Sequence, residues 1–131
     1  MLFTRLLIPV DFSEPSREAL KLGVTVAMRV GARLTLLFVD SATVPQSSDK
    51  IARALKRWMA EDVPSSVHAE VLVLRGSPAE QINLQASRGE HDLVVMGTHG
   101  KQGLERIVLG SVAETVVRTC PVPVLVTHDR G

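Results

Sequence analysis

Short, unbroken apolar runs separated by segments of helical spacing constrain this chain more than any other feature. Leu6-Leu7-Ile8-Pro9-Val10 shows no polar alternation, which suits a strand covered on both faces of a sheet. Runs of the same kind return at residues 34–39, 67–74, 92–96 and 122–127. Between them lie helical patterns. Ser13 and Pro15 mark the first start, and Ala19, Leu20, Gly23, Val24, Ala27 and Met28 recur at helical intervals toward Gly31, an expected stop. Residues 40–48 are polar and contain Pro45, so they read as a loop, and an amphipathic helix is expected over 49–60. Ser77-Pro78-Ala79-Glu80 joins a serine cap to a first-turn proline and a glutamate three residues after the cap, which starts a helix ending near Gly89. The last helix is predicted over 112–119. Strict alternation of strand and helix implies right-handed crossovers and an α/β fold, a doubly wound, mostly parallel sheet with helices on both sides. Pro121 and Pro123 remove backbone donors in or beside the last strand, which places it at an edge or a subunit boundary.

The chain of 131 residues is expected to form a single domain, 1–131, large enough to bury a core without disulfides or a structural metal. Fifteen basic against fourteen acidic residues give a net charge of +1, and aromatics are only 3%, so neither the electrostatic nor the stacking equipment for nucleic acid or an anionic membrane is expected. Lys50, Arg53, Lys56 and Arg57 do cluster, but with Ile51, Leu55, Trp58 and Met59 between them they read as the solvated face of a helix. Cys120 is the only cysteine and points to a reducing compartment, the cytoplasm being the simplest; beside Pro121 it reads as a buried structural thiol. The amino-terminal residues lack the pattern of a signal peptide, and no apolar run is long enough to span a membrane. His68, His91, His99 and His128 show no metal-ligand spacing.

One segment looks built to hold a ligand. The apolar run Leu93-Val94-Val95-Met96 leads into Gly97-Thr98-His99-Gly100, and nine further residues, among them Lys101, Gly103, Glu105 and Arg106, separate that from Gly110-Ser111. Glycines at a strand-to-helix junction can take positive φ and bring backbone N–H groups close to an anion, and Ser111 would add a hydroxyl beside the unpaired amides of the next helix. Ser111-Val112-Ala113-Glu114 is equally a capping box, and glycines can simply make a tight loop. The combination is less easily explained in that way, and it points to a nucleotide. In a doubly wound sheet the ligand crevice lies beyond the carboxyl ends of the strands where their order reverses, between strands one and four if strand one is central. Pro9-Val10-Asp11, Val39-Asp40 and Met96-Gly97 close the three strands that would meet there, and together they offer apolar surface for a base beside carboxylate and amide groups.

These residues resemble the universal stress protein family, whose ATP-binding members carry glycine, two residues, glycine, nine residues and then Gly-Ser or Gly-Thr. Here those positions are Gly97, Gly100, Gly110 and Ser111, and the resemblance runs from Ile8-Pro9-Val10-Asp11-Phe12-Ser13 to Pro121-Val122-Pro123-Val124-Leu125-Val126. It implies a five-stranded parallel sheet of order 3-2-1-4-5, of the adenine nucleotide alpha hydrolase-like type, and homodimers paired through the last strand. It further implies an ATP site, with Mg2+ as the accompanying ion. Base contacts would come from Pro9, Val10 and Val39, a carboxylate near the ribose or a phosphate-bound metal from Asp11, and ribose and phosphate contacts from Gly97, Gly100, Gly110, Ser111 and Val112. Lys101 would add a phosphate charge, although a lysine after a glycine is ordinarily just solvated. The segment between strands two and three is short compared with many relatives, so the cover over a nucleotide is expected to be thin.

No residue stands out as a catalytic base: only Asp11, Lys101, Arg106 and Ser111 lie near the expected phosphates, and a Walker-type Gly-Lys-Ser/Thr sequence is absent. Slow or negligible ATP turnover is therefore expected, with the nucleotide acting as a switch in a stress response. Two other readings differ in class. A phospho-signalling receiver is disfavoured, because strand three ends in Leu74-Arg75-Gly76 rather than in an acceptor aspartate. A nucleotide-free dimeric scaffold that regulates protein partners would keep the glycines only as turns.

Overall fold

A computed structural model describes residues 3–98 and 103–128, without the side chains of residues 103–109 and 128. His99, Gly100 and Lys101, singled out from the sequence, lie outside the described residues. The elements in chain order are β1 (Arg5–Pro9), α1 (Glu14–Val30), β2 (Arg33–Asp40), α2 (Ser48–Met59), β3 (Ala69–Arg75), α3 (Pro78–Ser87), β4 (Leu93–Thr98), α4 (Gly103–Thr119) and β5 (Val124–His128). The strands form one parallel sheet of order β3-β2-β1-β4-β5.

The unbroken apolar runs are explained by cover on both faces. Leu6, Ile8, Leu34, Leu36, Leu93 and Val95 pack against Ala19, Leu20 and Val24 of α1 and Ile51 and Leu55 of α2. The alternate residues Leu7, Leu37, Val94 and Met96 pack against Ile82 and Ala86 of α3 and Ala113 and Val116 of α4. Truncating a fully buried leucine such as Leu7 to alanine costs about 2–5 kcal/mol in such a setting. Cys120 is only partly buried, at the margin of this second cluster, rather than fully enclosed.

The ends of α1 follow the sequence signals. Ser13 caps it through its hydroxyl, which accepts from the Ser16 N–H at 3.3 Å, and Gly31 closes it with φ 72°, a left-handed conformation that glycine adopts without a Cβ clash. α3 starts at Pro78 as expected, but the Ser77 side chain makes no capping hydrogen bond. The larger correction concerns α4. It starts at Gly103, not at residue 112, so Gly110 and Ser111 lie inside the helix and the capping box at Ser111 does not form. Leu104, Ile107, Val108 and Val112 already carry helical spacing, and one internal glycine costs only about 1 kcal/mol, too little to end a helix. β5 is an edge strand, in keeping with Pro121 and Pro123 just before it.

Candidate functional site

β1 is central, and the chain turns to opposite sides of it: β2 and β3 lie one way, β4 and β5 the other. The ladder between β1 and β4 contains only Leu6↔Leu93 and Leu7↔Val94, whereas β1 and β2 stay paired from Arg5↔Arg33 to Pro9↔Leu37. A strand order that reverses around β1 puts a crevice beyond the carboxyl ends of β1 and β4. A cavity of about 650 Å³ occupies this end of the sheet. It brings together Pro9, Val10, Asp11, Val39, Met96 and Val112 from the sequence-derived set.

Gly97, Gly110 and Ser111 are not among the described residues that line the cavity. Gly97 is the penultimate residue of β4 and is absent from the positive-φ glycines, which are Gly31, Gly76 and Gly89 among the described residues. Its lack of a side chain is a packing requirement: a β-carbon there would stand 2.3 Å from the Pro15 carbonyl oxygen. Gly110 is different, since a β-carbon there would meet no described atom within 4 Å. Ser111 follows it on α4, and its backbone carbonyl accepts from the Thr115 hydroxyl at 3.0 Å.

Asp11 ends the turn after β1 with its Oδ1 already engaged. It accepts from the Ser13 N–H at 3.1 Å, from the Ser13 hydroxyl, and from the Ser16 hydroxyl at 2.6 Å, while the Asp11 N–H donates back to Ser16 Oγ at 2.8 Å. This network fixes the start of α1 beside the cavity. Phe12, next in the chain, has φ 67°, a left-handed conformation that costs an aromatic residue about 1–2 kcal/mol. Its ring recovers part of this against Phe38, with centroids 5.4 Å apart, and edge-on to Trp58 at 5.7 Å. The Arg17 guanidinium covers the other side of the cluster, 4.4 Å from the Trp58 ring centre, donates to the Trp58 carbonyl, and pairs with Asp62. These contacts hold α2 against the start of α1.

Several lining residues were not found from the sequence. Phe12 is one; Asp40, which the sequence already placed at the end of its strand beside the crevice, lines the cavity too and is only 8% exposed. The Asp40 carboxylate accepts from the Ala42 N–H at 3.0 Å and the Gln46 N–H at 3.1 Å, which curls the loop after β2 over the cavity. Lys50, Ala54 and Arg57 also line it. They stand at i, i+4 and i+7 on α2, so two cations flank a small residue on one helix face. Both cations are exposed, as expected for a solvated helix face, and they stand at the rim of the cavity. Their spacing was visible in the sequence; that this stripe borders a cavity was not, because the neighbouring apolar stripe takes the core. Among the described residues, the ion pairs are Arg17–Asp62, Glu18–Lys21 and Glu114–Arg118, none of which involves Lys50 or Arg57. Also among the described residues, no group of three His, Cys, Asp or Glu side chains is placed to hold a metal ion, and no helix is long and apolar enough to cross a membrane.

Two titratable groups at the opposite end of the strands are perturbed. Burial pushes the His91 pKa below its ordinary value; Arg5 adds to this, and Glu90, Glu70 and the Gln85 carbonyl oppose it without reversing it. For Asp92, burial pushes the carboxyl up, but hydrogen bonds from the Thr4 and Arg5 N–H groups and the Thr4 hydroxyl, with the Arg5 charge, outweigh it and hold the pKa low.

Comparison with known proteins agrees with this geometry. The Universal stress protein family model matches residues 2–128. The universal stress protein MJ0531 of Methanocaldococcus jannaschii is 36% identical over 141 residues, covering 95% of this chain and 82% of the relative. The solved structure of MJ0577, a universal stress protein of the same organism, is 27% identical, covers 100% of this chain and 99% of its own, and superposes with a TM-score of 0.75. A universal stress protein solved in complex with cAMP shares the fold at a TM-score of 0.72 and 23% identity, covering 98% of this chain and 99% of its own.

Proposed function

The chain belongs to the universal stress protein family, and from that premise we propose that it binds an adenine nucleotide in the cavity beyond β1 and β4. One observation carries the reading: a 650 Å³ cavity at the topological switch point joins apolar walls from Val10, Val39, Met96 and Val112 to two cations, Lys50 and Arg57. The apolar walls suit a purine, and the cations suit phosphates. Pro9 and Asp11 lie at the same wall, and Gly97 and Ser111 belong to β4 and α4, which bound it. Gly110 lends support, because no described atom stands within 4 Å of its β-position, so the described packing does not call for a glycine there and a ligand can approach. The cAMP bound by a relative of this fold fits the same ligand class.

ATP is the nucleotide in this proposal, since two cations on α2 can serve more than one phosphate; an accompanying Mg2+ would be held chiefly by the phosphates themselves. Turnover is slow or absent: no side chain in the lining stands out as a general base, and the Asp11 carboxylate is tied through Oδ1 to Ser13 and Ser16 at the start of α1. Bound nucleotide then acts as a switch in a cytoplasmic stress response, in a homodimer paired through β5, whose Leu125 is 37% exposed at the sheet edge. Calorimetric titration with ATP and AMP, on wild type and on Gly110→Val, tests the binding. Saturable heat that is lost in the variant supports the reading. No heat with either nucleotide refutes it and favours the nucleotide-free scaffold.

A further inference from the structure

A second cavity, of about 500 Å³, opens at the other end of the strands, beside edge strand β3 and the carboxyl end of α3. It exists because α3 covers β2 but leaves the first residues of β3 without a helix above them: Glu70 is exposed and Leu72 only partly buried. Its charged lining is unusual. Arg5, Arg33 and Arg88 converge there with Glu70 and Glu90, yet none of the ion pairs found among the described residues joins any of these groups. Arg5 donates to the Gly89 carbonyl at 3.1 Å, and Glu70 accepts from the Thr35 hydroxyl at 3.4 Å.

His91, 9% exposed, also lines the cavity; its Nδ1 is enclosed, with no hydrogen-bond partner among the described residues. Gln85, 6% exposed, lines the same wall.

We propose that this cavity is a second ligand site, separate from the nucleotide cavity, and that it takes a compact oxyanion that also carries a hydroxyl, such as monohydrogen phosphate or a small hydroxycarboxylate. Guanidinium groups bind oxyanions through paired N–H donors. Two carboxylates in the same lining repel a bare anion, but they accept hydrogen bonds from a hydroxyl. The site does not depend on the nucleotide reading, because it shares no lining residue with the first cavity.

The test is a titration of 15N-labelled protein with inorganic phosphate at neutral pH, read at the His91 imidazole and at the Thr35 and Gln85 amides, with sulfate run in parallel at matched ionic strength. Sulfate has the charge and shape of phosphate without its O–H donor. Saturable shifts with phosphate, at least about tenfold weaker with sulfate, and lost in Arg33→Gln and in Arg88→Gln, support the proposal. Both arginines are exposed, so these variants keep the fold, which an unchanged melting temperature checks. Malate against succinate forms the second arm; preference for malate by a similar margin, in place of a phosphate response, supports the site with a hydroxycarboxylate as its ligand. Absence of saturable shifts at His91 with phosphate and with malate overturns the proposal, and so does equal binding of phosphate and sulfate.

Discussion

Gly97 of β4 lies directly against the backbone of Pro15 at the start of α1: a β-carbon at Gly97 would be 2.3 Å from the Pro15 carbonyl oxygen and 2.7 Å from its carbon. Backbone cannot yield as a side chain can, so Gly97→Ala is expected to destabilise the fold by about 1–3 kcal/mol or more. Gly23→Ala is the informative contrast. Its β-carbon would meet the tip of the Ile8 side chain at 2.4 Å, a flexible group, and alanine adds about 1 kcal/mol of helix propensity. Urea midpoints should therefore fall sharply for the first variant and little for the second.

Lys50 and Arg57 should read phosphates. Replacing either with alanine is expected to weaken ATP binding about fivefold, roughly the worth of one exposed ionic contact. Adenosine, which has no phosphate, should lose little. Calorimetry with both ligands separates this from general damage to the cavity, which would weaken the two alike.

Gly110 offers a stability and a binding readout that move in opposite directions. With no described atom near its β-position, Gly110→Ala should raise helix stability by about 0.5–1 kcal/mol. Nucleotide affinity should fall if the ligand approaches the α4 backbone there. A stabilised variant with unchanged affinity would show that the nucleotide does not approach this position.

Stability should depend on pH through two groups. His91 has a folded pKa below 6.5, so between that folded value and 6.5 the unfolded chain binds more protons. Its contribution is complete above 6.5 and is lost as pH falls through this window. Asp92, held below 3.8, has a contribution that is present above 3.8 and lost as the pH falls through its folded value. Denaturant midpoints measured across pH should show both losses, and His91→Gln should remove the one at higher pH.

The sequence by itself determined the order of elements, because burial on both faces demands unbroken apolar runs such as Leu6 to Val10, and because Ser13, Pro15, Gly31 and Pro78 punctuate the chain through local backbone chemistry. It also gave one wall of the cavity, Pro9, Val10, Asp11, Val39 and Met96, since strand ends follow from strand positions. What only the tertiary structure decided were the relations between distant segments. Whether a glycine frees the backbone or avoids a clash depends on what stands opposite it, and for Gly97 that is Pro15. Whether the exposed basic stripe on α2 also stands at the rim of a cavity depends on the curl of the Asp40 loop and on the Phe12, Phe38 and Trp58 rings that seat the helix. Local pattern sets which residues share a face, but only packing sets what that face meets.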